Sequence, residues 1–166
     1  MEQVLNQLLT HLERESIFLE NYLDTLKKQA HLVAAVKIDE LLQNVKTLNN
    51  MVKENEKLAA ERMQLFSVLS ENMAQPVEQV TISYIISTLD SPWREKLEKQ
   101  KQKLLNVVSD IQRETETNAF VLNYAINFTH SLIQMQDKAL KSDTVYSKNG
   151  KKNERIDQRK ILNTQI

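Results

Sequence analysis

Three histidines, His11, His31 and His130, are the side chains of this chain best suited to hold a metal or to transfer a proton. None of them stands in the HExxH spacing that places two histidines on one helix face around zinc. His11 and Glu15 are one helical turn apart and could face each other. On a helix this rich in charge, such a pair is typical of the surface, so we predict no metal site.

The residue types that other catalytic chemistry needs are missing or isolated. Cysteine is absent, which excludes thiolate chemistry and disulfides. Gly150 is the single glycine, whereas a phosphate-binding loop or a dinucleotide fingerprint needs several. No side chains are spaced as a nucleophile with its base or as a general acid with a general base. We therefore predict that the protein is not an enzyme and that it uses no cofactor.

The net charge and the hydropathy of the chain indicate where the protein is located and which classes of partner it does not bind. The 22 basic residues are balanced by 22 acidic ones, which argues against a dedicated nucleic-acid binder. The first residues, MEQVLNQLLTHLERE, lack the basic start and the unbroken apolar run of a signal peptide. No apolar run approaches the roughly 20 residues that span a bilayer. We expect a cytoplasmic protein that does not insert into membranes.

Apolar residues recur every seven positions through most of the chain, which predicts long helices packed on one another. With one glycine and two prolines, tight hairpin turns between strands are disfavoured. A first helix is predicted over about 2–35 and a turn near Lys37, with Asp39 as the N-cap of the next helix. The main apolar row of the first helix is Leu5, Leu12, Leu19, Leu26 and Val33, and Ser16 is a polar gap in its second row.

A second long helix is predicted over about 39–72, because Pro76 disfavours its continuation. One of its rows is Ile38, Val45, Val52, Ala59, Phe66 and Met73, and the other is Leu41, Leu48 and Leu69, interrupted by Asn55 and Arg62. The Thr81 hydroxyl is suited to cap a short helix over about 82–89, whose apolar face would close one end of a bundle. A short buried strand is the alternative there, since β-branched residues are dense.

A third long helix is predicted over about 92–140, with Ser91 as its cap and Pro92 as its first residue. Its main row is Leu97, Leu104, Ile111, Asn118, Ala125, Leu132 and Ala139, and its second row holds Val108 and Leu122. The predicted fold is therefore all-α. It is an elongated antiparallel helical bundle or coiled coil of three long helices plus a short helix, with a body at 1–140.

Asn118 is the polar position in the main row of the third long helix. An asparagine on a heptad seam costs stability but fixes register. It is either such a register device, a partly exposed residue, or a place where the seam is open to a partner helix.

The segment 141–166 differs in charge from the body. It carries seven basic and three acidic residues, a net charge of +4 against −4 for 1–140. We expect a flexible basic tail. It is either an inert solvated end or a segment that folds on a partner, since it also holds scattered apolar residues.

Three stretches together resemble the FlgN-type flagellar export chaperones. Leu32 to Leu65, LVAAVKIDELLQNVKTLNNMVKENEKLAAERMQL, is similar to the family's first turn and second helix. Glu116 to Gln136, ETNAFVLNYAINFTHSLIQMQ, resembles its Asn-x-x-Asn-x-x-Leu-Leu helix, with Thr115 where the first asparagine is usual. TVYSKNG resembles its closing motif through Tyr146 and Gly150. At the first turn, Val36 and Lys37 replace the usual glycine.

The resemblance implies a function in bacterial flagellum biogenesis and type III protein export. Members of that family bind the C-terminal helices of hook-associated (hook–filament junction) proteins in the cytoplasm, prevent their premature assembly and deliver them to the export gate. Tyr146 and Gly150 are then the candidates for docking at the gate. The candidates for binding cargo on the third long helix are Asn118, Val121, Leu122, Ala125, Ile126, Leu132 and Ile133.

Two other functions remain open at this point. One is a generic coiled-coil scaffold or adaptor with an inert tail. The other is an export chaperone for a different flagellar cargo, such as the filament cap.

Overall fold

The chain is all-α in the part that the structure describes. The structure is a computed structural model that describes residues 1–142, and the side chains of residues 1–138. Its helices are α1 (Glu2–Ala34), α2 (Ile38–Met73), α3 (Ile82–Thr88) and α4 (Trp93–Ser142), with a single 3₁₀ turn at Val77–Gln79. Residues 1–142 contain no strand, so the helical interpretation of the segment around 82–89 is confirmed and the strand alternative is wrong.

Residues 1–123 form one compact unit, and a second unit begins at Tyr124, within α4. The first unit holds α1, α2, α3 and the first part of α4. The described part of the second unit is the remainder of α4. Within residues 1–142, none of the helices combines the length and the apolar content that crossing a membrane requires.

The core of the first unit joins all four helices. The short helix α3 directs Ile85 and Ile86 into this core, so its apolar face packs onto the bundle. That it closes one end of the bundle stays a prediction. The row predicted for α1 is confirmed, with Leu5, Leu12 and Leu26 buried. The buried cluster consists of Leu5, Leu8, Leu12, Phe66, Leu69, Val80, Ile85, Ile86, Leu97 and Leu104.

Polar contacts give the direction of each long helix in the first unit. Asn44, early in α2, donates to the carbonyl oxygen of Thr25 late in α1 at 3.0 Å. Arg62, late in α2, pairs with Glu15 nearer the start of α1. Residue numbers therefore rise in opposite directions, and α1 and α2 are antiparallel.

The first part of α4 runs in the same direction as α1. Gln100 donates to the carbonyl oxygen of Leu12 at 2.9 Å and to the hydroxyl of Ser16 at 2.7 Å. Further along both helices, Asn118 donates to the carbonyl oxygen of Leu26 at 2.8 Å. The three long helices thus form an up-down-up arrangement, and the polar gap predicted at Ser16 is filled by an amide.

One of the two rows predicted for α2 is wrong in its first half and confirmed in its second. Ile38, Val45 and Val52 are exposed, whereas Phe66 is buried and Met73 packs against the core. In the first half of α2, the seam with α1 follows the row of Leu48 and the polar side chains, where Asn44 finds a partner on α1. The second row predicted for α4 is wrong at Val108, whereas its other member, Leu122, is half-buried. Val108 is 40% exposed, while the adjacent Val107 is 8% exposed.

Of the three N-caps predicted from the sequence, one is confirmed and two are wrong. Thr81 caps α3 as predicted, and its hydroxyl accepts from the backbone N–H of Tyr84 at 3.1 Å. Asp39 is not an N-cap, because α2 begins at Ile38 and Asp39 lies in the first turn, where the helix dipole favours an acid. Ser91 donates to Glu95 at 2.8 Å instead of capping α4, which begins at Trp93.

α1 and α2 each end in a Schellman motif that contains no glycine. After α1, the N–H of Lys37 donates to Leu32 and that of Val36 to Val33, with Val36 left-handed at φ 55°. The side chain of Lys37 also bonds to Glu40 at 2.8 Å, which lowers the pKa of the Glu40 carboxyl.

After α2, the N–H of Gln75 donates to Ser70 and that of Ala74 to Glu71, with Ala74 at φ 52°. Glycine is the usual residue at this position because the left-handed region is unfavourable for a residue with a Cβ. The turn between α1 and α2 is therefore strained at a β-branched residue.

We predict that Val36→Gly raises the free energy of unfolding by about 1–2 kcal/mol and Ala74→Gly by about 1 kcal/mol, since each relieves a left-handed Cβ. Urea unfolding measures both. Ala35→Gly is the matched control, because Ala35 is right-handed with φ −84°. It should lower the free energy by about 0.5–1 kcal/mol. Equal destabilisation by Val36→Gly and Ala35→Gly would contradict the left-handed turn at Val36.

Candidate protein-binding surface

The histidine with the most promising spacing is part of the packing between α1 and α2. His11 is buried, and its Nδ1 lies 3.6 Å from Glu61 of α2. Glu15 is buried as well and pairs with Arg62. The expectation of a surface pair of His11 with Glu15 is therefore wrong, because each side chain turns to a partner on α2. Among the described residues, no three His, Asp or Glu side chains form a group that could hold a metal.

The most unusual stretch of the chain for its charge lies in α4. From Thr117 to Gln136 there is no Asp, Glu, Lys or Arg, although these types make up 27% of the sequence. The stretch is bounded by Glu116 and Asp137. Depletion of charge with enrichment of aromatic residues and methionine is the composition of the buried core of protein interfaces. The composition therefore points to a surface that binds protein.

Three of the predicted cargo residues belong to the first unit. Val121 and Leu122 are half-buried, and Asn118 is only 3% exposed. The amide of Asn118 donates to the carbonyl oxygen of Leu26 and, at 3.0 Å, to Oε1 of Gln29. This environment is that of a register-fixing residue between α1 and α4. A contact of Asn118 with cargo stays a prediction.

The other four predicted cargo residues belong to the second unit. Ala125 is half-buried, and Ile126, Leu132 and Ile133 are each about half exposed. Every side chain from Ile126 to Lys138 is exposed to solvent. Large aliphatic side chains in water are unfavourable, so this segment gains free energy from any apolar partner that covers it.

Three exposed side chains of the second unit were missed by the sequence analysis. Tyr124 is 67% exposed, Phe128 is 56% exposed and Met135 is 66% exposed. Phe128 and Met135 are seven residues apart, and Tyr124 precedes Phe128 by one turn. This spacing carries the signal, whereas the candidates predicted beyond Asn118 are aliphatic residues only. Aromatic residues and methionine are the types most enriched where proteins bind one another.

Four residues of the second unit form a heptad seam. Ala125, Phe128, Leu132 and Met135 follow the spacing of three, four and three residues that brings side chains into one line along a helix. We call residues 124–138, the part of the second unit whose side chains the structure describes, the terminal segment. Knobs-into-holes packing joins two helices that each carry a heptad seam, so this seam is suited to pack against a helix of another protein.

A family model described as FlgN protein matches residues 1–154. The chain belongs to the FlgN family. Members of this family are flagellar export chaperones, so the protein is a flagellar chaperone that binds flagellar proteins. No individual curated protein and no solved structure matches the chain.

The FlgN match covers α1 to α4 and extends to both residues predicted to dock at the export gate. Tyr146, Gly150 and the rest of the predicted flexible tail lie outside the described residues. Their roles stay predictions for this member of the FlgN family.

We predict that Asn118→Ala lowers the free energy of unfolding by about 1–2 kcal/mol, because it removes two buried hydrogen bonds to α1. Urea unfolding followed by circular dichroism measures the change. Asn127→Ala is the control, because Asn127 is an exposed asparagine on the same helix. Removing its side-chain amide should change the free energy of unfolding little. Unchanged stability of Asn118→Ala together with lost cargo binding would instead assign Asn118 to the cargo contact.

Proposed function

We propose that this protein is a cytoplasmic type III export chaperone for hook-associated (hook–filament junction) proteins. It binds a C-terminal helical segment of its cargo, prevents premature assembly and delivers the cargo to the export gate. The observation that supports this proposal most strongly is the exposed apolar terminal segment of α4, which carries no charge as far as Gln136, in a chain of the FlgN family.

The binding chemistry of the terminal segment is hydrophobic. Covering a large apolar side chain fully contributes about 1.5–3 kcal/mol, and side chains already half covered contribute less. Micromolar affinity needs about 8 kcal/mol in addition to the cost of association. No single residue supplies this, so Phe128, Leu132 and Ile133 must be covered together. A cargo helix with a long apolar stripe meets that requirement.

The same chemistry explains protection of the cargo. The terminal helices that let junction proteins assemble must present apolar stripes to one another. A chaperone that covers those stripes removes the surface through which the copies associate. Since Thr117–Gln136 carries no Asp, Glu, Lys or Arg, the interaction should depend little on salt.

We predict that Leu132→Asp weakens binding of the junction protein at least 100-fold, because a carboxylate would be buried in an apolar contact. Gln134→Asp is the matched control. It introduces the same charge two residues further on, about 200° around the helix, on the polar side. Isothermal titration of the purified chain with junction proteins of its own organism measures both, at low and at high salt.

Equal effects of the two substitutions would contradict the seam as the cargo surface. A wild-type chain that binds no junction protein would contradict the proposed cargo. Binding of the filament-cap protein alone would assign the alternative cargo, and binding of no flagellar protein would favour a scaffold.

The proposed delivery step uses the tail. We predict that Tyr146→Ala leaves cargo affinity within about twofold of the wild type and weakens binding to the cytoplasmic part of the export gate, because this tyrosine lies outside the seam. Co-purification with each partner measures the two effects. Tyr146→Phe is the control that keeps the ring. A chain ending at Lys141 should behave like Tyr146→Ala. Loss of cargo binding by Tyr146→Ala would show that the tail holds cargo.

A further inference from the structure

The apolar surface of the terminal segment is wider than one helix covers. We infer that the cargo supplies two helical segments, one on each flank of 124–138, so that α4 becomes the central helix of a three-helix unit. This inference rests on the proposed function and specifies the form of the partner at the same site.

The width follows from helix geometry. Each residue advances about 100° around the axis, so Tyr124 and Ile126, two positions apart, lie about 200° from each other. Phe128 and Met135 lie beside Tyr124 and with it form the aromatic flank. Ile133 lies beside Ile126, and these two form the aliphatic flank. All five side chains are at least half exposed.

On one side of the helix two apolar and two polar residues lie between the flanks, and on the other side only polar residues do. Ala125 and Leu132 lie beside the aromatic flank, and Thr129 and Gln136 lie between them and the aliphatic flank. The rest of the circumference carries polar side chains, among them Asn127, Gln134 and Asp137. An arc of about 200° is twice the roughly 100° stripe by which a surface helix packs.

The first part of α4 gives a scale for this width. Its buried side chains fall within about 80° by the same counting. The side chains are Leu97, Gln100, Leu104, Val107 and Asn118.

Each flank has what a separate helix needs. Phe128 and Met135 are seven residues apart, and so are Ile126 and Ile133. A seven-residue spacing on each flank matches a helix that packs nearly parallel to α4. One helix laid on either flank would leave the large side chains of the other in water. Two helices from one chain cover both and incur the loss of translational and rotational freedom once.

The chemistry of the cargo segments follows from the same surface. Because both flanks lack Asp, Glu, Lys and Arg, neither selects a charged partner. The matching segments should be amphipathic helices whose contact faces are uncharged. The segment opposite Tyr124 and Phe128 should carry side chains that fit between aromatic rings, and the other should present aliphatic residues to Ile126 and Ile133.

The test compares paired substitutions on the two flanks, using a junction protein that the unmodified chain binds. The aromatic pair is Phe128→Ser with Met135→Ser, and the aliphatic pair is Ile126→Ser with Ile133→Ser. The control pair, Asn127→Ser with Gln134→Ser, lies on the polar side. Each flank pair should raise the Kd about tenfold or more, and the control less than twofold. Circular dichroism checks that all three variants keep their helix content.

Photo-crosslinking identifies what covers each flank. A crosslinking amino acid at Phe128 and one at Ile133 should capture two different segments of one cargo chain, in a complex with a one-to-one mass. A raised Kd for one flank pair only, or the same cargo segment captured from both positions, would overturn the inference. Capture of a second copy of this chain at either position would overturn it as well. Absence of binding by the unmodified chain would instead remove the proposed function, and the inference with it.

Discussion

Three hydrogen bonds from side-chain amides to main-chain carbonyl oxygens fix how the long helices of this chaperone pack. Asn44 of α2 donates to the carbonyl oxygen of Thr25. From α4, Gln100 donates to that of Leu12 and Asn118 to that of Leu26. A seam of leucines alone allows helices to slip by a turn or by a heptad, because one leucine contact resembles the next. A slipped amide would be buried without its acceptor, at a cost of about 1–3 kcal/mol.

The choice of buried row follows from this constraint. In the first half of α2 the row that faces α1 carries polar side chains, and the more apolar row with Val45 and Val52 is left exposed. Hydrophobicity alone would have favoured the opposite choice. The polar row is buried because Asn44 and Arg62 both find partners on α1, so that burial leaves few of their polar groups unpaired.

The two units of the chaperone use one kind of pattern for two purposes. In the first unit, the apolar side chains of α4 that recur every seven residues, such as Leu97 and Leu104, are buried. In the terminal segment, the same spacing places Phe128 and Leu132 in solvent. Charge distinguishes the two parts, because ionised side chains are dense along the first unit and absent from Thr117 to Gln136. A stretch with this composition is suited to be covered by a partner.

The sequence by itself determined the all-α class, the three long helices, the cap at Thr81 and the family, because seven-residue periodicity and the order of motifs are properties of the chain alone. It also contained the uncharged stretch of α4. Only the tertiary structure decided which row of α2 is buried, that His11 faces Glu61, and that Asn118 is bonded to α1. Periodicity defines a helix face to within about one residue, whereas burial depends on which polar side chains meet partners on another helix. The end of α1 carries no glycine signal in the sequence, because the left-handed position is occupied by Val36. The backbone N–H groups of Val36 and Lys37 close the turn by donating to Val33 and Leu32.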